Sequence, residues 1–183
     1  MKTFIRLLAV FTIFLGAYTA APFLNPDKPE LAAVEAVTQR VRILGYDRDT
    51  RFGGWQSGVR EAVVLAAGDT DPYSGEPLDL DSAEVDHILP LSAAWDLGAY
   101  SWSALERIRF ANDPDNLVLV NRSENQSKSD QLPSQWLPSD RGSRCWYVSR
   151  LFAVAAHYEL PLPEADIRAG RRSCGFVKGG LAG

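Results

Sequence analysis

Histidine and cysteine are scarce in this 183-residue chain, two of each, and positive charge is in deficit, with 19 Lys and Arg against 23 Asp and Glu. A net charge of −4, falling to −6 once Lys2 and Arg6 are set aside, excludes an extended grip that neutralises many phosphates at once. Internal repeats and low-complexity segments are absent. Both cysteines, Cys145 and Cys174, lie in the last quarter, so no lipid-anchored processing site is expected near the N-terminus. In an exported chain an even count suggests one bridge, worth roughly 3 to 4 kcal/mol for a loop of about 30 residues; the alternative is two buried free thiols. Of the two histidines, His157 sits in an apolar-periodic stretch and reads as a packing or surface residue. Candidate chemistry therefore concentrates on His87.

What is present begins with Lys2 and Arg6, an uncharged run over residues 7–24, and the small residues Thr19, Ala20 and Ala21. This order reads as a secretory signal peptide over residues 1–21, with the exit after Ala21. A retained membrane anchor is the alternative, because the uncharged run reaches the lower edge of a membrane span. Residues 22–183 are long enough for a single domain with its own core. Their charge is uneven: residues 141–183 hold seven Lys and Arg against three acids, whereas residues 22–140 hold ten against twenty. A phosphate-tracking surface is expected among Arg141, Arg144, Arg150, Arg168, Arg171 and Arg172, unless these merely balance nearby acids.

Periodicity supplies the elements. Leu31, Val34, Val37, Val41 and Leu44 recur at helical spacing before Gly45, predicting an amphipathic helix with its entry at residues 25–30. Residues 46–55 read as a loop, and residues 59–67 as a helix. A strand is expected over 78–88, and an insertion over 91–113 carries Ser103 and Glu106 as a capping pair. The unbroken apolar run at 117–120 predicts a buried strand. Ser123 and Gln126 predict a helix start with Asn125 in its first turn, ended by Pro133. Two further helices are expected over 146–158 and from Pro163 towards Cys174. Trp95, Trp102, Leu105, Ile108 and Phe110 give the insertion an apolar surface, read mostly as core.

Two stretches stand out chemically: Glu84-Val85-Asp86-His87-Ile88-Leu89-Pro90, and Asp115-Asn116 running through the apolar strand to Asn125-Gln126-Ser127-Lys128-Ser129-Asp130. Hydrolysis of a phosphodiester at neutral pH needs a base for water and a hard cation for the leaving oxygen. Magnesium keeps several waters and takes one or two protein oxygens, which Asp86 and Asn125 could supply. In an extended segment Asp86 and His87 point to opposite sides, so the strand is expected to end or bend at about this point, as Pro90 allows.

Asp86-His87-Ile88-x-Pro90, Asn116, and Asn125 with Lys128-Ser129-Asp130 resemble, in this order, the HNH branch of the His-Me finger (ββα-metal) nucleases. The chain is similar to the HNH domain of CRISPR effector nucleases. It is more similar to small secreted HNH proteins, through Arg109-Phe110-Ala111-Asn112-Asp113 and Ser134-Gln135-Trp136-Leu137-Pro138. The resemblance covers roughly residues 46–174. It implies an α+β fold, a mainly helical domain around a ββα-metal core at about 78–132, with a helical insertion between the two strands and a disulfide-linked helical part at 141–174. It further implies that His87 is the general base, that Asn116 holds the loop carrying His87, and that Asp86 and Asn125 bind magnesium or manganese. Lys128, Arg171 and Arg172 are expected near phosphate, while Arg60 is expected either to face phosphate or to pair with Glu84. Many HNH proteins carry a Cys-x-x-Cys zinc knuckle where this chain has Asp71 and Ser74, so no structural zinc is expected. The implied activity is that of a secreted or periplasmic endonuclease acting on DNA, or on RNA, with little sequence selectivity. The alternative is a nucleic-acid or envelope binding module that kept the fold without turnover.

Overall fold

In the computed structural model, residues 31–175 are described; the expected signal peptide, the helix entry at 25–30 and the glycine-rich tail lie outside the described residues. The order is β1 (Ala36–Val37), α1 (Arg48–Phe52), α2 (Val59–Ala66), β2 (Glu84–His87), α3 (Leu91–Leu97), α4 (Ala104–Ala111), β3 (Leu117–Val120), α5 (Arg122–Lys128), α6 (Arg144–His157), β4 (Leu162–Pro163) and α7 (Glu164–Ser173). Short 3-10 turns at Ala99–Ser101 and Pro114–Asn116 lead into α4 and β3. The fold is mixed α+β, helices around two two-stranded sheets, one parallel (β1 with β4) and one antiparallel (β2 with β3).

The antiparallel pair runs Glu84 opposite Val120 to His87 opposite Leu117, so β2 and β3 are joined through the insertion carrying α3 and α4. Every residue of α3 is buried, which its sequence tolerates because the two polar members, Ser92 and Asp96, are bonded by Arg40. The main core collects Phe52, Leu89, Trp95, Phe110, Val148, Leu151 and Phe152; a smaller cluster of Val85, Leu117 and Leu119 lies under α2. The capping box predicted for α4 is formed in both directions, Ser103 to Glu106 and back. Cys145 and Cys174 are bonded, joining the start of α6 to the end of α7. No helix among the described residues is long and apolar enough to cross a membrane.

Four expectations about elements need correction. Residues 31–45 form no helix: the segment is extended, β1 pairs with β4, and Glu35 O accepts from Leu162 N at 2.9 Å. Val34, Val37, Thr38, Val41 and Ile43 are β-branched and lean towards extended backbone, and Arg40 fastens the segment to Asp96 at 2.6 Å and Asp130 at 2.9 Å. Of the apolar stripe read as helical, Val41 is 56% and Leu44 is 93% exposed, so tertiary pairing overrode the spacing. Residues 46–55 are not all loop, since Asp47 caps Thr50 and starts α1. The first strand is shorter than 78–88, because Asp79 turns the chain by bonding Ser82 and Ala83. Finally, α5 begins at Arg122, after Asn121, without the Ser123–Gln126 cap; it ends at Lys128, before Pro133.

Candidate active site

The site is built where β2 ends. Strand alternation puts Glu84 and Asp86 on the side facing α5 and His87 on the other. On the α5 side the contacts form a ladder. Glu84 accepts from Asn125 Nδ2 at 2.8 Å and pairs with Arg122 at 2.9 Å; one helical turn on, Asp86 meets Lys128 at 2.9 Å. Asp86 is 6% exposed, and its second partner is the hydroxyl of Tyr73, which donates at 2.7 Å. Burial pushes the Asp86 carboxyl up, against the pull of the Lys128 ammonium and the Tyr73 hydroxyl. Lys128 also donates to His87 O at 2.8 Å, so the buried pair is tied directly to the histidine backbone.

On the opposite side the imidazole of His87 lines a pocket of about 460 Å³ with Arg48, Asp49, Gly53, Gly54, Trp55, Leu91 and Ala111. Its Nε2 lies 2.8 Å from Ala111 O. A carbonyl oxygen only accepts, so Nε2 carries the proton and Nδ1 keeps a lone pair. The indole of Trp55 stacks on the ring at 5.3 Å and 9°. Burial pushes His87 down to about 3, the Ala111 carbonyl opposing and the Arg48 and Lys128 charges reinforcing it. At neutral pH the ring is therefore uncharged, with the Nδ1 lone pair free, and burial makes it a weaker base than a solvated imidazole.

Asn116 is fully buried below this point. Its side chain accepts from Leu89 N at 2.7 Å and donates to Leu89 O at 3.2 Å, while its own carbonyl accepts from Ile88 N at 2.8 Å. The two residues after His87 are thus clamped to the start of β3. Asn112 works at the other wall: it accepts from Gln56 N at 2.8 Å and donates to Ile108 O at 3.0 Å, fixing the loop that carries Trp55 to the end of α4, beside the Ala111 carbonyl. Asp71, fully buried, accepts from Tyr73 N, Ser74 N and Asn121 N. Hydrogen bonds to this one carboxylate thereby close the turn at residues 71–74 and tie it to the end of β3.

Other expected site residues stand elsewhere. Lys128 is fully buried and bonded to Asp86 and His87 O, so from this position it does not reach a phosphate, a correction forced by its burial. Arg60 is exposed on α2, outside the His87 pocket, and Glu84 is paired with Arg122 and Asn125. Arg171 and Arg172 are exposed in the last turn of α7. In the basic surface considered for residues 141–183, Arg144 and Arg150 donate to backbone carbonyls and Arg168 pairs with Glu164. Sequence reasoning passed over Arg48, Trp55, Tyr73 and Asn112 as site residues. Trp55 and Asn112 were visible only as members of runs, and nothing local marks Tyr73 as a partner of Asp86.

A larger cleft of about 830 Å³ between α2 and β3 is mainly apolar. Its one ionisable wall residue, Arg150, already donates to Pro114 O and Asp115 O, whereas the smaller pocket gathers an imidazole, a guanidinium and a carboxylate.

Residues 47–162, from the cap of α1 to the first residue of β4, match the family model of the C-terminal domain of GmrSD restriction endonucleases. The chain belongs to this family. The match spans the ladder, the His87 pocket and both asparagine clamps, so the GmrSD C-terminal domain accounts for the whole site in one piece. The kinship with nucleases read from the two motif stretches is therefore shown at the level of the family. An uncharacterized secreted protein of Arthroderma benhamiae is 29% identical over 194 residues, covering 90% of this chain and 93% of its own. No solved structure matches.

The family raises the question of a divalent cation; among the described residues no group of three His, Cys, Asp or Glu side chains is placed to hold one, so any such ion would rest on few protein oxygens. Glu84, Asp86 and Asn125 offer oxygen along facing edges of β2 and α5, and Asn125 Oδ1 has no hydrogen-bond partner among the described residues. A cation at Asp86 would share that carboxylate with the Lys128 ammonium.

Proposed function

We propose that this GmrSD C-terminal domain is an exported endonuclease of the HNH type that hydrolyses phosphodiester bonds in nucleic acid, DNA first, with little sequence selectivity. In this reading β2, β3 and α5 are the ββα-metal core, and residues 1–21 are a signal peptide removed on export. The secreted description of the Arthroderma relative supports the export half. The observation that carries the chemistry is the 2.8 Å contact of His87 Nε2 with Ala111 O: a carbonyl there calls for the proton on Nε2 and leaves the lone pair of Nδ1 for an attacking water. Trp55 fixes the ring plane, Asn116 fixes the following backbone, and burial keeps the base neutral. Water gives its proton to Nδ1 and the hydroxide attacks phosphorus in line, leaving a 5′-phosphate. Asp86 and Asn125 would hold magnesium or manganese, with Glu84 beside them; when bound, such an ion neutralises charge on the departing 3′-oxygen. Arg60, Arg171 and Arg172 are available for phosphates farther along the backbone.

The test is plasmid nicking by the mature chain with magnesium, compared with His87→Ala. Loss of the general base is expected to lower the rate by about 10²- to 10⁴-fold. Equal rates in the two proteins would remove His87 from the chemistry. A second reading is favoured by one contact: Lys128 and Tyr73 already occupy the Asp86 carboxylate, as they would in a binding module that gave up turnover. That reading predicts nucleic-acid binding without any magnesium-dependent nicking.

A further inference from the structure

We propose that Arg48, carried on the indole of Trp55, binds the phosphate that is to be cleaved. The inference rests on His87 being the base and names the group that presents substrate to it. Arg48 lines the same pocket as His87, and its guanidinium carbon lies 5.9 Å from the centroid of the indole that stacks on the His87 ring. One aromatic ring therefore sets the positions of both groups. A guanidinium resting on an aromatic face keeps its N–H edges outward, and those edges match two phosphate oxygens at once.

Three further observations point to an anion as ligand. Arg48 takes part in no ion pair among the described residues, so its guanidinium is not already neutralised by a carboxylate. The carboxylate on the pocket wall, Asp49, is a neighbour in sequence but is not within ion-pair distance of Arg48. The wall at residues 53 and 54 is glycine, and a Cβ built on Gly54 would meet nothing within 4 Å, so no side chain covers the pocket at that point. The loop is not a loose one: Asp47 caps it at Thr50, and Asn112 ties Gln56 to the end of α4. Lys128 is withdrawn into the core and Arg60 stands outside the pocket, which leaves Arg48 as the cation on the wall shared with His87.

The experiment separates binding from turnover. His87→Ala, with and without Arg48→Ala or Arg48→Lys, is titrated into a short labelled DNA duplex and read by fluorescence anisotropy, while single Arg48 variants are assayed for nicking. Arg48→Ala is expected to weaken binding by about tenfold and to lower kcat/KM at least as much, and Arg48→Lys to recover part of each as a point charge. The side chain is exposed, so thermal unfolding of the variants should match wild type. Binding changed less than twofold by Arg48→Ala, with His87-dependent nicking intact, would overturn the proposal and leave the nuclease reading standing. Absence of nicking and binding in the wild-type chain would bring down both.

Discussion

The protonation of His87 is decided by what surrounds one ring. Burial and the Arg48 and Lys128 charges disfavour imidazolium, and only the Ala111 carbonyl resists them, holding the group at about 3. In the unfolded chain the same residue titrates near 6.5, so between those values the unfolded state binds more protons and acid favours unfolding. The stability tied to a neutral His87 is complete above pH 6.5 and is lost as pH falls from there towards 3. At pH 4.5 the loss should be about 2 kcal/mol or somewhat more. Urea unfolding of wild type and His87→Gln at pH 7 and 4.5 checks this: the wild type should lose more on acidification. Asp86 shifts in the opposite sense and is present in both proteins, so the difference isolates the ring. Parallel pH curves for the two proteins would mean that the ring is solvated.

At the scale of elements, the site depends on short pieces held by side chains rather than on a large sheet. β2 and β3 are four residues each, and their alignment with α5 comes from the Glu84–Asn125 and Asp86–Lys128 contacts. The helical part is held differently, by close approach. A Cβ at Gly170 in α7 would lie 2.8 Å from two ring carbons of Phe152 in α6, and that ring is buried. Gly170→Ala should therefore destabilise by about 1 to 3 kcal/mol, although alanine is the better helix former at an unconstrained position. Chemical denaturation measures it, and a stabilised variant would show that α6 and α7 can move apart freely. Two of the four corrected elements had the right spacing for the wrong structure. Residues 31–45 have helical spacing and Ser123 with Gln126 has capping spacing, yet Arg40 pulls the first segment straight, and the second helix starts one residue earlier, behind Asn121.

For the molecule as a whole, the Cys145–Cys174 bond closes a 29-residue separation around α6 and α7. By the loop-entropy relation, opening it should cost about 3 to 4 kcal/mol. The check is the urea midpoint with and without reductant, and an unchanged midpoint would show that helix packing alone holds the C-terminal part. The His87 pocket takes no side chain from α6 or α7, so any His87-dependent nicking should survive mild reduction at low temperature. Much of this architecture was legible in the chain: α2, β3, α4, α6 and the bridge follow from apolar periodicity, a capping pair and a cysteine count, all local properties. The Asp86-His87 pair and the two asparagines were legible too, because their order along the chain carries the family. What surrounds them was not. Tyr73 meets Asp86, Ala111 orients His87, and Asn112 steadies Trp55 across separations that no local pattern encodes. The sequence by itself determined the family, through the order of Asp86, His87, Asn116 and Asn125 along the chain. Only the tertiary structure decided that Lys128 is inside and Arg48 outside, because burial is a property of the packed chain and charge is worth most where water has been removed.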